Sequence, residues 1–104
     1  MQLPSEFKCA GNTIKVQLVE KTYNNNYGNW CDVTNTITIA KTIELEDKTV
    51  VELTEDQITN TFWHELIHCF QFYFDNSYNE AQSQAYANVL CEYFKSSTSD
   101  DEFA

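Results

Sequence analysis

The sequence predicts an α+β fold, with a small, mostly antiparallel N-terminal sheet packed on a C-terminal helical pair. Three observations predict it. Apolar and polar residues alternate through much of the first half, the period of half-buried strands. From Thr54 onward the apolar spacing becomes that of a helix, and a capping motif opens it. The chain has 104 residues, 42% of them hydrophobic, enough for one core and too few for two. A single domain is expected over residues 1–95, followed by a disordered acidic tail over 96–104.

Ile14, Val16 and Leu18 alternate with Lys15 and Gln17 and define the first expected strand. Residues 23–29 read as a loop, because asparagine and glycine tolerate left-handed backbone. Strands are expected next over 30–33 and 36–40, the latter with Ile37 and Ile39 on one face. Segments 43–45 and 50–53 flank Glu46-Asp47-Lys48-Thr49, the pattern of a hairpin. Thr54-Glu55-Asp56-Gln57 has the form of a capping box, and its two acids suit the positive end of the helix dipole. That helix should run to about residue 72. Its stripes Phe62-Leu66-Cys69-Tyr73 and Trp63-Ile67-Phe70-Phe74 make it apolar over most of its circumference, hence central and buried. Asp75-Asn76-Ser77 breaks the pattern, and a second helix is expected over about 78–94.

Net charge is −10, from 16 acidic and 6 basic residues, which disfavours phosphate backbones and anionic membranes. A basic peptide partner is compatible with that charge; so is simple solubility. No stretch approaches the length of a transmembrane helix, and Met-Gln-Leu-Pro-Ser-Glu-Phe-Lys lacks the layout of a signal peptide. The chain is therefore read as cytoplasmic, and Cys9, Cys31, Cys69 and Cys91 as reduced thiols rather than disulfides. None forms a C-x-x-C pair that would suggest a cysteine zinc site, and Cys69 and Cys91 fit as small core residues.

The only two histidines, His64 and His68, stand in His64-Glu65-Leu66-Ile67-His68, an H-E-x-x-H pattern in mid-helix. At this spacing both imidazoles leave one helix face about one turn apart and can grip a single metal ion. Glu65 lies on the flank of that face, within reach of a water activated there. A blander reading has two hydrogen-bonded core histidines and Glu65 at a solvent edge. Burying three such groups without a metal is costly, so zinc is the preferred reading.

A catalytic zinc site takes three protein ligands, and no third histidine exists. Asp75 is about 10 Å along the axis from His68 and too far, while Cys69 points about 100° away. Glu80 is the best candidate, sharing a stripe with Gln84, Ala87 and Cys91 whose small residues permit close helix approach. Two considerations oppose it. Ser77-Tyr78-Asn79-Glu80 also fits a capping box, and a tight antiparallel hairpin would set Glu80 opposite Tyr73. Ligation would then need an early end to the first helix or a steep crossing.

His64-Glu65-Leu66-Ile67-His68, followed by Asn79-Glu80-Ala81-Gln82-Ser83-Gln84, resembles the gluzincin metallopeptidases, which follow H-E-x-x-H with a downstream N-E-x-x-S-D helix. Size and element order look most like the single-domain minigluzincins, among them the phage- or mobile-element-borne ImmA/IrrE-like metallopeptidases. The resemblance covers roughly residues 12–94 and implies zinc ligands His64, His68 and Glu80, with Glu65 as catalytic base. Gln84 falls where the family has an aspartate that accepts a hydrogen bond from the first metal histidine. Ile67 replaces a common glycine, and the His68–Glu80 spacing is shorter than usual. The stretch around Asn35–Ile39 resembles the strand bordering the family's active site. A bacterium or bacterial host is the implied setting.

The expected activity is peptide-bond hydrolysis in a protein or peptide substrate, with one zinc ion. Tyr86 and Tyr27 are both candidates for a second oxyanion donor. Strand 36–40, taken as an edge, is a candidate for holding an extended substrate. Two rivals remain open: an inactive zinc-braced interaction module, and a secreted disulfide-stapled protein.

Overall fold

The computed structural model describes residues 2–75 and 77–97. Strand β1 (Glu6–Cys9) turns through Ala10 and Gly11, both at positive φ, into β2 (Asn12–Val19). A tight reversal demands such backbone, and Gly11 takes it without steric cost. An asparagine-rich loop then leads to β3 (Gly28–Cys31), which turns through Asn35, also left-handed, into β4 (Thr36–Ala40). The sheet order is β1-β2-β4-β3. The two outer pairings are antiparallel, and the central β2–β4 pair is parallel, with Val16 opposite Ile37 and Leu18 opposite Ile39. A separate antiparallel hairpin joins β5 (Thr42–Glu44) to β6 (Val50–Glu52).

The α+β architecture is thus as expected, and three of the four strand pairings are antiparallel. One expectation about the sheet fails, and one pairing departs from the antiparallel majority. The central pair is parallel because the 20–27 loop carries the chain past β4 before the β3–β4 hairpin folds back beside β2. For the same reason strand 36–40 is interior rather than an edge, with Ile37, Ile39 and Ala40 fully buried. The edge strands are β1 and β3, and β3 is the one that borders the cleft described below. Strand β1 had no expectation; its four residues are too few for alternation to register.

Helix α1 (Glu55–Phe74) starts at the expected cap: Gln57 N–H donates to Thr54 Oγ1 at 3.1 Å, and Thr54 N–H to Gln57 Oε1 at 2.8 Å. It lies across the sheet, where Phe62, Leu66 and Cys69 pack on Cys9, Ile14, Ile37 and Ile39. It runs two residues past the expected end, so Phe74 projects beyond the sheet and is exposed rather than part of a buried stripe.

Helix α2 (Glu80–Ser96) packs antiparallel on α1. Lys95 bonds Asp56 at 3.0 Å near one end, Trp63 stacks on Phe94, and Gln71 meets Gln82 at the other end. Cys91 is only partly buried, whereas Cys69 is wholly so; all four thiols are unpaired. Ser96, assigned above to the tail, closes α2; of that tail, 98–104 lies outside the described residues. Among the described residues no helix is long and apolar enough to cross a membrane.

Candidate metal centre

Helical spacing alone brings the two histidines together. Residues four apart on α1 lie one turn from each other, and the rings of His64 and His68 have centroids 4.7 Å apart with their Nε2 atoms separated by 3.1 Å. Glu80 completes the group. Its Oε1 lies 2.5 Å from His68 Nε2 and its Oε2 3.1 Å from His64 Nε2. One ligating atom from each of the three residues falls within 4.8 Å of the others.

The competing role for Glu80 is not realised. Asn79 caps α2, accepting from Gln82 N–H at 2.8 Å, so Glu80 is the first helical residue and its carboxylate is not drawn back to a Ser77 cap. Nor does α1 end early. Instead Gln71 grips the Asn79 backbone from both sides, its Oε1 accepting from Asn79 N–H at 3.1 Å and its Nε2 donating to Asn79 C=O at 3.3 Å. The connection after Asp75 therefore returns the chain to the level of Gln71, one turn from His68, and the glutamate side chain spans the rest.

The surrounding amides fix the proton positions on both rings. Gln84 Nε2 donates to Asn60 Oδ1 at 3.0 Å and Asn88 Oδ1 at 2.8 Å, which leaves Oε1 facing His64 Nδ1 at 2.9 Å. Gln71 Nε2 donates to Asn79 C=O and to Gln82 Oε1, so its Oε1 faces His68 Nδ1 at 3.0 Å. Amide oxygens only accept, and each Nδ1 must therefore carry the hydrogen. In the neutral ring each Nε2 then keeps its lone pair. Two such lone pairs 3.1 Å apart, both facing a carboxylate, repel unless a positive charge, a metal ion or a proton, lies among them. Ser83 joins on the buried side, its Oγ donating to Gln71 Oε1 at 3.3 Å and lying 3.2 Å from His68 Nδ1.

Two imidazole nitrogens and one carboxylate form a borderline-to-hard donor set that suits zinc. Both rings are largely covered, with side chains 16% and 8% exposed, whereas Glu80 is 78% exposed. The group is therefore open to solvent on the Glu80 side.

Glu65 is buried on the flank of the same helix face, with the Trp30 backbone N–H on the side of its carboxylate and favouring its charged form. Burial pushes its carboxyl above the usual carboxylate range, opposed by the two neighbouring imidazoles. Strand β3 can lie this close because residue 28 is glycine. A Cβ there would stand 2.6 Å from Thr61 Cγ2 and 3.3 Å from Glu65 Cγ.

Together α1, α2 and the 25–32 segment enclose an open cleft of about 1340 Å³ containing His64, Glu65, His68 and Glu80. Of the two tyrosines proposed from sequence, Tyr27 lines this cleft and Tyr86 does not. The strand bordering the site is β3, not β4. Sequence reasoning missed Gln71, Ser83 and Tyr78. Gln71 carried a usable signal, a polar residue one turn past His68 where the helix is otherwise apolar. Gln84 takes the position expected of it.

No protein-family model, curated protein or solved structure matches this chain. Its candidate site is defined by geometry: a two-histidine, one-carboxylate metal centre, with a buried glutamate beside it, in an α+β domain.

Proposed function

We propose that this protein is a zinc-dependent metallopeptidase of the minigluzincin type, acting on a protein or peptide substrate in the cytoplasm. The observation that carries the reading is the convergence of two Nε2 lone pairs and the Glu80 carboxylate, with both Nδ1 hydrogens already committed to Gln71 and Gln84. His64, His68 and Glu80 would hold one zinc ion. Bound there, it supplies a Lewis acid that acidifies water and polarises a carbonyl.

The chain's own residues do the rest. Glu65 takes a proton from the attacking water and passes it to the leaving amine. Its burial favours this, because a carboxylate shifted upward is a stronger base near neutral pH. Gln71 and Gln84 hold the imidazoles in the ligating tautomer and orientation. The open edge of β3 offers backbone groups to an extended substrate running along the cleft, the role that strand 36–40 cannot fill.

Glu65→Gln tests the reading. Zinc should remain stoichiometric while cleavage of a general protein substrate falls by about 10²-fold or more, the usual share of a general base. Cleavage at the wild-type rate would contradict the role of Glu65. A zinc-loaded wild type that cleaves nothing would favour the interaction module braced by metal.

A further inference from the structure

Tyr78 lies two residues before Glu80 and lines the cleft. Its ring meets His68 edge to face with centroids 5.5 Å apart, and stacks on Phe72 at 6.4 Å. These contacts hold the phenol beside the second metal histidine. Its oxygen accepts a hydrogen bond from the Trp30 indole N–H at 3.1 Å. An indole nitrogen can only donate, so the phenol's own proton is unspent. Among the described residues nothing accepts it. A hydroxyl that already accepts is also polarised and donates more strongly.

Trp30 links this hydroxyl to the rest of the site. Its indole anchors Tyr78, while its backbone N–H faces the Glu65 carboxylate. One residue of β3 thus stands next to both the base and the phenol and bonds the second. The other tyrosine in the cleft, Tyr27, has no comparable ring packing among the described residues, and Tyr86 stands outside it.

We infer that the Tyr78 hydroxyl donates a hydrogen bond to the substrate carbonyl oxygen at the His64–His68–Glu80 site and stabilises the oxyanion that develops there. The inference rests on the metallopeptidase reading and names a catalytic residue that the reading lacks. Tyr78 keeps its proton throughout. The proton released by water still travels through Glu65 to the leaving amine, so Tyr78 serves as an electrostatic donor placed where charge builds in the transition state.

The test compares zinc-loaded full-length wild type with Tyr78→Phe, which keeps the ring against His68 and Phe72 and removes only the hydroxyl. Three quantities are read: zinc content, kinetics on fluorescein-labelled casein, and calorimetric affinity for an N-phosphoryl dipeptide whose tetrahedral oxygens imitate the oxyanion. Zinc should stay stoichiometric, while kcat falls by about 10²-fold or more at little-changed KM. Affinity for the phosphoryl dipeptide should weaken by about tenfold or more. A Tyr78→Phe variant matching wild type in both kcat and phosphoryl affinity overturns the inference and leaves the metallopeptidase reading standing. A zinc-loaded wild type that neither cleaves casein nor binds the phosphoryl dipeptide overturns that reading, and this inference with it.

Discussion

His64 and His68 lie on one helix face and receive the same kind of support, an amide oxygen at Nδ1, yet their surroundings differ. Around His68 the support is buried. Gln71 and Ser83 are enclosed between the helices, and the same Gln71 carboxamide fixes the Asn79 backbone, and so the start of the helix that carries Glu80. Around His64 the support is an open web of amides, exposed Gln84 and Asn88 with half-buried Asn60. The difference separates two jobs. The buried side places a ligand from another helix, whereas the open side only orients a ring that the helix has already placed.

Removing the buried support should therefore have the largest effect. Gln71→Ala takes the amide partner from the buried His68 Nδ1–H, leaving it only Ser83 Oγ at 3.2 Å, strands the Asn79 N–H, and loosens the start of α2, whose Asn79 C=O keeps only the Ser83 N–H. Zinc affinity should fall by about 10²-fold, the upper range for such orienting residues. Stability of the metal-free protein should fall by about 1–3 kcal/mol, the cost of stranding buried polar groups. Competitive chelator titration and urea unfolding read the two effects separately. Gln84→Ala should cost only about tenfold in zinc affinity, with little change in unfolding. Equal losses in the two variants would erase the contrast.

Gly28→Ala probes the cleft wall on the open side. The added methyl meets Thr61 and Glu65, so β3 must move off α1. Overpacking of this kind costs about 1–3 kcal/mol. Cleavage should suffer more than zinc binding, because the shift disturbs Glu65 and Trp30 while the three ligands lie elsewhere. Unchanged kinetics would mean that β3 does not position the base.

The thiols give the smallest effect and repeat the contrast of buried with open. Exposed Cys31 has its thiol pulled below the ordinary value by hydrogen bonds from Thr34. Burial next to Cys9 pushes Cys69 up from 9.0 to about 12. Iodoacetamide near neutral pH should alkylate Cys31 first and reach Cys9 and Cys69 only on unfolding. Because the folded value for Cys69 lies above the unfolded one, its contribution to stability is complete below pH 9.0 and declines as pH rises toward about 12. Denaturant midpoints across that range should fall in the wild type and fall less in Cys69→Ala.

Much of the site was legible in the sequence because helices encode it locally. The His64–His68 spacing, the cap at Thr54 and the stripe joining Glu80 to Gln84 depend only on residues three or four apart, and all three are realised. What was not legible depends on tertiary path. Alternation marks strands β2 and β4 but says nothing of their order, so the parallel central pair and the edge position of β3 were out of reach. The reach of Glu80 looked doubtful from hairpin geometry because Gln71's hold on the Asn79 backbone spans eight residues and follows no periodicity. Tyr78 was hidden for the same reason, since its partner Trp30 is 48 residues away.

The central claim is that His64, His68 and Glu80 jointly hold one metal ion, and zinc analysis of the purified protein beside Glu80→Gln tests it most directly. Glutamine keeps the size and helix position of residue 80 but removes its charge. Wild type should carry one zinc per chain, and Glu80→Gln should bind it at least about tenfold more weakly, with far-ultraviolet dichroism unchanged. Wild type without zinc, or undiminished affinity in Glu80→Gln, would contradict the account.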